Sequence, residues 1–302
     1  MRIRYFIPIF FVWFLGNSQT ENDMLLTQKI PKLLQEKTQE GYQQAKQLLL
    51  DIESQLGSLP EHKFQMLSYS YENGDMAFFK KELLLLVENY GFDLTLLDKR
   101  VNYYEALTTG LLSDWFKNVY PPARKKWLNN NYDKIPYLKA LNDLYVKDQA
   151  LASIAGRINS DSTIDITSKD KLKGLLINES KELFSELIRI YSEIGSYPSA
   201  KTFSLPQTPY FLIETHLLKI PEISLTYLEQ IYPFYEKAYL NNEIDYLVFR
   251  EYDIQMLMSS GKQYFGTIQS GEVPETFLDE NGNIPVLDEK NLIKRRKKLG
   301  WK

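Results

Sequence analysis

Apolar residues recur along this chain at spacings of three and four, the period of a helix buried on one side. Residues 42–57 carry Ala45, Leu48, Leu49, Ile52 and Leu56 on one stripe, and Gly57 and Pro60 stop it. A helix over about 61–71 follows. Another is expected over 75–90, with Asp75 as N-cap, Gly91 as C-terminal stop, and Phe78, Leu83, Leu84, Leu86 and Val87 on its inner side. Tyr69 to Asp75, the next helix and Gly91-Phe92 together have the pattern of a helical hairpin of tetratricopeptide type, in one clear copy. Stacked repeats need about three copies for stability, so residues 19–135 are read as a repeat-like helical domain.

Pro121-Pro122, Asn129 to Asn131 and Pro136 suit a connection over 120–136. Residues 136–302 then form a larger helical domain. Its helices are expected over 137–157, 168–194, 208–219, 222–240 and 244–260, with a polar loop from Asn159 to Thr167. Near the end, Asn281-Gly282 lies between Phe277-Leu278 and Ile284-Pro285-Val286, which predicts a short β-hairpin. The fold class expected is therefore mainly α: a repeat-like N-terminal segment, then a larger helical domain with a short C-terminal hairpin.

Residues 1–18 stand apart. Arg2 and Arg4 precede an apolar run over 5–15, and Gly16-Asn17-Ser18 forms a small polar exit. This is the layout of a secretory signal peptide, and the run falls short of the roughly 20 apolar residues that span a bilayer. Export to a periplasm or the exterior is expected, with cleavage after Ser18 and no membrane span thereafter. The chain has no cysteine. That excludes disulfides and attachment of a lipid to cysteine, and leaves burial to supply stability.

Charge narrows the partners. Losing Arg2 and Arg4 from 36 basic residues leaves 34 against 39 acidic ones, a net charge of −5 after cleavage. That mild acidity argues against nucleic acid as a partner, since phosphate binding wants a basic face. An envelope protein or peptide is the expected partner. The run Lys294-Arg295-Arg296-Lys297-Lys298 reads as charges at the C-terminal end of a last helix, favoured by its dipole.

Metal and cofactor signatures are not evident. His62 and His216 are the two histidines, far apart in sequence, and there is no Cys, no H-E-x-x-H and no Gly-rich phosphate loop. The stretch Asp279 to Asp288 places its Gly at position 4 of a calcium-type loop, where position 6 is required. No G-x-S-x-G elbow marks a nucleophile.

Residues 140–301 resemble an uncharacterised helical domain of secreted and lipid-anchored bacterial proteins of the Bacteroidetes type. An ordered series carries the resemblance. It runs through Asp148-Gln149, Gly195-Ser196-Tyr197-Pro198, His216, Asp253, the segment Gly261 to Thr267 with Gln263, and Arg296 before Leu299-Gly300. Five polar groups of the family pattern are apolar here, at Ala152, Leu218, Ile254, Phe265 and Ile268, and Tyr197 stands for Trp. The resemblance implies a binding or structural polar network of Asp148, Gln149, Gln263, Thr267 and Arg296. The function expected is that of an exported binding or structural protein. The alternative is a hydrolase-like or degenerate enzyme in which Asp253 orients His216 as a general base.

Overall fold

A computed structural model describes residues 21–97, 99, 101–205, 211–218 and 220–301. The leader expected over 1–18 lies outside them. The elements are α1 (Glu21–Met24), a π-helical turn (Leu25–Lys29), α2 (Ile30–Gln35), α3 (Gln39–Leu56), α4 (Pro60–Glu72), α5 (Met76–Tyr90), α6 (Tyr104–Thr108) and α7 (Ser113–Asn130). Then come α8 (Ile135–Ser160), α9 (Ile166–Ile194), α10 (Phe211–Leu218), α11 (Pro221–Leu240), α12 (Tyr246–Ser260) and α13 (Glu289–Lys298). The protein is mainly helical. Among the described residues no helix is long and apolar enough to cross a membrane.

The first half forms as its pattern dictates. Asp75 caps α5 by accepting from Phe78 N at 3.2 Å. The same carboxylate accepts from Tyr42 Oη at 2.9 Å and pairs with Lys46 Nζ at 2.7 Å, so the cap also ties α5 to α3. Phe79, rather than Phe78, turns inward with Leu83, Leu86 and Val87. From α4, buried Lys63 bridges Glu53 of α3 at 3.1 Å and Glu82 of α5 at 2.7 Å. Gly91 ends α5 at φ +69°, and a Cβ there would lie 2.6 Å from Ser204 Oγ and 2.7 Å from the Trp127 ring.

Two expectations fail for physical reasons. Pro121-Pro122 does not break the chain but lies inside α7. Each proline removes one helical donor. The carbonyls left without it belong to solvent-exposed Lys117 and Asn118, and burial of Phe116, Ala123 and Trp127 on the opposite side keeps the helix together. The C-terminal β-hairpin does not form: among the described residues there is no strand. Asn281-Gly282 is a turn, organised by the Asp279 carboxylate, which accepts from Asn281 N and Asn283 N at 2.9 Å each. One backbone bond closes the turn, Asp279 N to Asn283 O at 2.8 Å, but Phe277-Leu278 and Ile284 to Val286 do not form a ladder with each other. Residues Glu275–Phe277 coil into a 3₁₀ turn. Gln263 takes the other arm instead, through Gln263 N to Pro285 O at 2.9 Å and Leu287 N to Gln263 O at 2.8 Å. The polar loop expected from Asn159 to Thr167 shrinks to five residues, because α8 and α9 both run further than their apolar stripes.

The second half is one large core in which α8 packs on α9 and α10 on α8, α11 and α12. The chain breaks at Asn131, between α7 and α8, but the halves share contacts. After α9 the segment up to Leu205 returns to the first half. Leu205 N donates to Tyr90 O at 2.7 Å, Lys201 Nζ to Leu56 O at 2.8 Å, and Ala200 and Leu205 join the core around Leu86 and Phe92. Tyr239 Oη on α11 donates to Asp23 of α1 at 2.6 Å and receives Trp301 Nε1 at 3.0 Å.

Candidate functional site

The seven candidate residues fall into two groups. In the first, α12 places Asp253 wholly out of solvent beneath the loop that follows it. Its carboxylate accepts from Tyr264 N at 2.6 Å, Phe265 N at 2.8 Å, Thr267 N at 2.8 Å and Thr267 Oγ1 at 2.7 Å. Burial raises this carboxyl above its ordinary pKa, and the four donors oppose that rise. Gln263 Oε1 accepts from Ile268 N at 3.0 Å. Arg296 Nη1 donates to Gly266 O at 2.8 Å, and Arg250 Nη1 and Tyr246 Oη both reach Thr267 O. In loop 263–268, Asp253 and Gln263 thus meet the amides of Tyr264, Phe265, Thr267 and Ile268, and arginines and a tyrosine meet the carbonyls of Gly266 and Thr267.

The basic run supplies a further residue that sequence reasoning passed over. Arg295 is buried, lies 4.0 Å over the Tyr264 ring, and donates to Tyr264 O at 2.8 Å and Asp288 Oδ2 at 2.5 Å. The signal available was its place on α13, between Leu292 and Leu299, on the side away from Lys290, Lys294 and Lys297.

The second group is His216 with Asp148 and Gln149. His216 Nδ1 lies 2.8 Å from Asp148 Oδ2, and Gln149 Nε2 donates to the same oxygen at 2.9 Å. A carboxylate only accepts, so Nδ1 is the donor in this bond. The Asp148 side chain is 8% exposed and that of His216 is 29% exposed. His216 and Asp253 thus make their hydrogen bonds with different partners. The residue before His216's neighbour Thr215 is also notable. Glu214, fully buried, accepts from Tyr191 Oη at 2.5 Å and Tyr252 Oη at 2.6 Å, and Tyr252 is bonded in turn to Tyr235. Burial raises its pKa and the tyrosine hydroxyls offset only part of that. A single Glu inside the apolar sequence of α10 was the signal for it.

A third feature had no sequence signal. A cleft of about 270 Å³ opens where α1, the turn before α4, residues Ala200 and Lys201, and the loop between α11 and α12 meet. Leu26, Leu59 and Ile244 give it an apolar floor, and Asp23, Glu61, His62, Lys201, Glu243 and Asp245 line it. His62 Nε2 is 3.7 Å from Asp245 Oδ2, and Asp245 also caps α12 through Leu247 N at 2.8 Å. Burial lowers the His62 pKa and raises that of Asp245. Glu61 is raised to about 7, by the crowded cleft walls first and the Asp245 carboxylate second, although its exposure at the rim lets water screen part of this. Among the described residues no group of three His, Cys, Asp or Glu is placed to hold a metal ion.

No family model, curated protein or solved structure matches this chain.

Proposed function

We propose that this is an exported helical protein that acts by binding an envelope protein or peptide in the cleft between its halves. The observation that carries the reading is the division of labour among polar groups. Asp253, Gln263, Thr267 and Arg296 spend their hydrogen-bonding capacity on holding loop 263–268. The cleft instead collects ionisable groups of both signs over an apolar floor, at a place solvent reaches. Apolar walls with a few directed polar groups are the usual make-up of a recognition site. The layout of residues 1–18 supports export.

The test is photocrosslinking. A benzoylphenylalanine replaces Ser58 in the cleft or Ser153 on the exposed side of α8, in the producing cell. One discrete adduct from position 58, absent from 153 and lost with Glu61→Arg, is expected. Equal labelling from both positions would end the proposal.

A second reading rests on the His216–Asp148 pair. A histidine held by a buried carboxylate, with no hydrogen bond to its other nitrogen among the described residues, has the arrangement of an oriented general base. That reading has Asp148, not Asp253, as the orienting group of a hydrolase-like site. His216→Ala should then abolish turnover of ester, amide or glycoside reporters. If no reporter is turned over by the parent protein, this reading falls.

A further inference from the structure

The outer face of α13 is not used by anything described above. The helix is fixed from within by Arg295, Arg296 and buried Leu299. Lys290, Ile293, Lys294 and Lys297 lie at i, i+3, i+4 and i+7, so they form one stripe on the opposite side. All four are exposed, and Ile293 is 79% exposed. Lys290, Lys294 and Lys297 have no ion pair among the described residues, whereas Lys298 pairs with Glu236 at 3.4 Å. The protein as a whole carries a net charge of −3, yet this ten-residue helix holds six basic residues and one acidic. Three of those six, Lys290, Lys294 and Lys297, thus stand together on the exposed side of α13.

We propose that this face docks on an anionic phospholipid surface, with the three lysines on headgroup phosphates and Ile293 entering the interface between them. Charge complementarity chooses an anionic surface. The exposed isoleucine amid the lysines chooses lipid over an acidic protein, because a purely charged partner gives it nowhere to go. Interfacial helices combine these two elements, an apolar contact and basic flanks. Each lysine near an anionic leaflet contributes about 1 kcal/mol, or roughly fivefold in affinity, so three together contribute about a hundredfold. The inference does not rest on the cleft or on its partner.

The experiment uses the full chain and vesicles of phosphatidylcholine, with or without phosphatidylglycerol. The parent should sediment with the phosphatidylglycerol vesicles at low salt, and weakly or not at all with phosphatidylcholine alone. The triple variant Lys290→Gln, Lys294→Gln, Lys297→Gln should lose about a hundredfold of that binding and keep its circular dichroism. Any attraction from an apolar leader is common to parent and variant and cancels in the comparison. Because the chain has no cysteine, Ile293→Cys takes a single environment-sensitive fluorophore. Its emission should shift to the blue on phosphatidylglycerol vesicles, while the same label at fully exposed Leu111 should not shift. Binding unchanged in the triple variant overturns the proposal. So does a label at 293 that stays in water while the protein sediments, or displacement by soluble polyglutamate as effective as by lipid.

Discussion

Removing the Asp253 side chain tests whether one buried carboxylate holds the C-terminal region in place. Asp253→Ala takes the acceptor from three backbone amides, of Tyr264, Phe265 and Thr267, and from the Thr267 hydroxyl. The hydroxyl can rotate to another partner, but the amides are fixed by the loop. Each buried donor left unpaired costs about 1–3 kcal/mol, and relief from desolvating the carboxylate returns part of that. A net loss of about 4 kcal/mol is expected, large against a total stability of about 5–15 kcal/mol. Asp253→Asn keeps one acceptor oxygen but points an amide at Thr267 N, and should cost about 2 kcal/mol. Urea unfolding followed by circular dichroism gives the global change. Hydrogen exchange at Tyr264, Phe265 and Thr267 gives the local one, and all three amides should lose protection. An alanine variant within about 1 kcal/mol of the parent, with those amides still protected, would refute the reasoning.

Glu214 makes a pH prediction. Its folded pKa is raised, so the folded state holds its proton to higher pH than the unfolded chain does. Its contribution is fully present below the unfolded value, near 4.5, and is lost as pH rises through the folded one. Stability should fall over that window by up to about 1.4 kcal/mol per pH unit, and Glu214→Gln should flatten the fall in melting temperature against pH. Lys63→Met leaves buried Glu82 with only solvent-exposed Lys81, at 3.6 Å, and should cost about 3 kcal/mol by urea unfolding, most of it recovered in the double variant with Glu82→Leu. Gly91→Ala should cost at least about 2 kcal/mol in the same assay, from the positive φ and the contacts with Ser204 and Trp127.

What could be read in the sequence was local. The Asp75 cap, the Gly91 stop and the stripe of Ala45, Leu49 and Ile52 follow from neighbours within a few turns, and the helices stand where that pattern puts them. Pro121-Pro122 misled because a tertiary contact, the burial of Phe116 and Trp127, outweighed a local rule. The hairpin at Asn281-Gly282 misled because Gln263, distant in sequence, offered residues 285–287 a better partner than their own flank. In the site, Asp253, Gln263 and Thr267 share one stretch of chain and could be grouped by eye. The pairing of His216 with Asp148 crosses 68 residues, and its partner could not be chosen from spacing. The cleft draws on residues from Asn22 to Leu299 and exists only once the halves have met.

The link from Asp23 through Tyr239 to Trp301 has a consequence in time. Asp23 and Tyr239 are separated by 216 positions, and Tyr239 and Trp301 by 62. The first described helix therefore has no complete native seat until Trp301 has been synthesised. Contacts of such long separation slow folding, because loop closure must precede their reward. A chain emerging from the ribosome can bring α3, α4 and α5 together by contacts close in sequence, but completes the seat of Asp23 only through Tyr239 and Trp301. The final locking of α1 therefore waits on Trp301, however early the helices between them form.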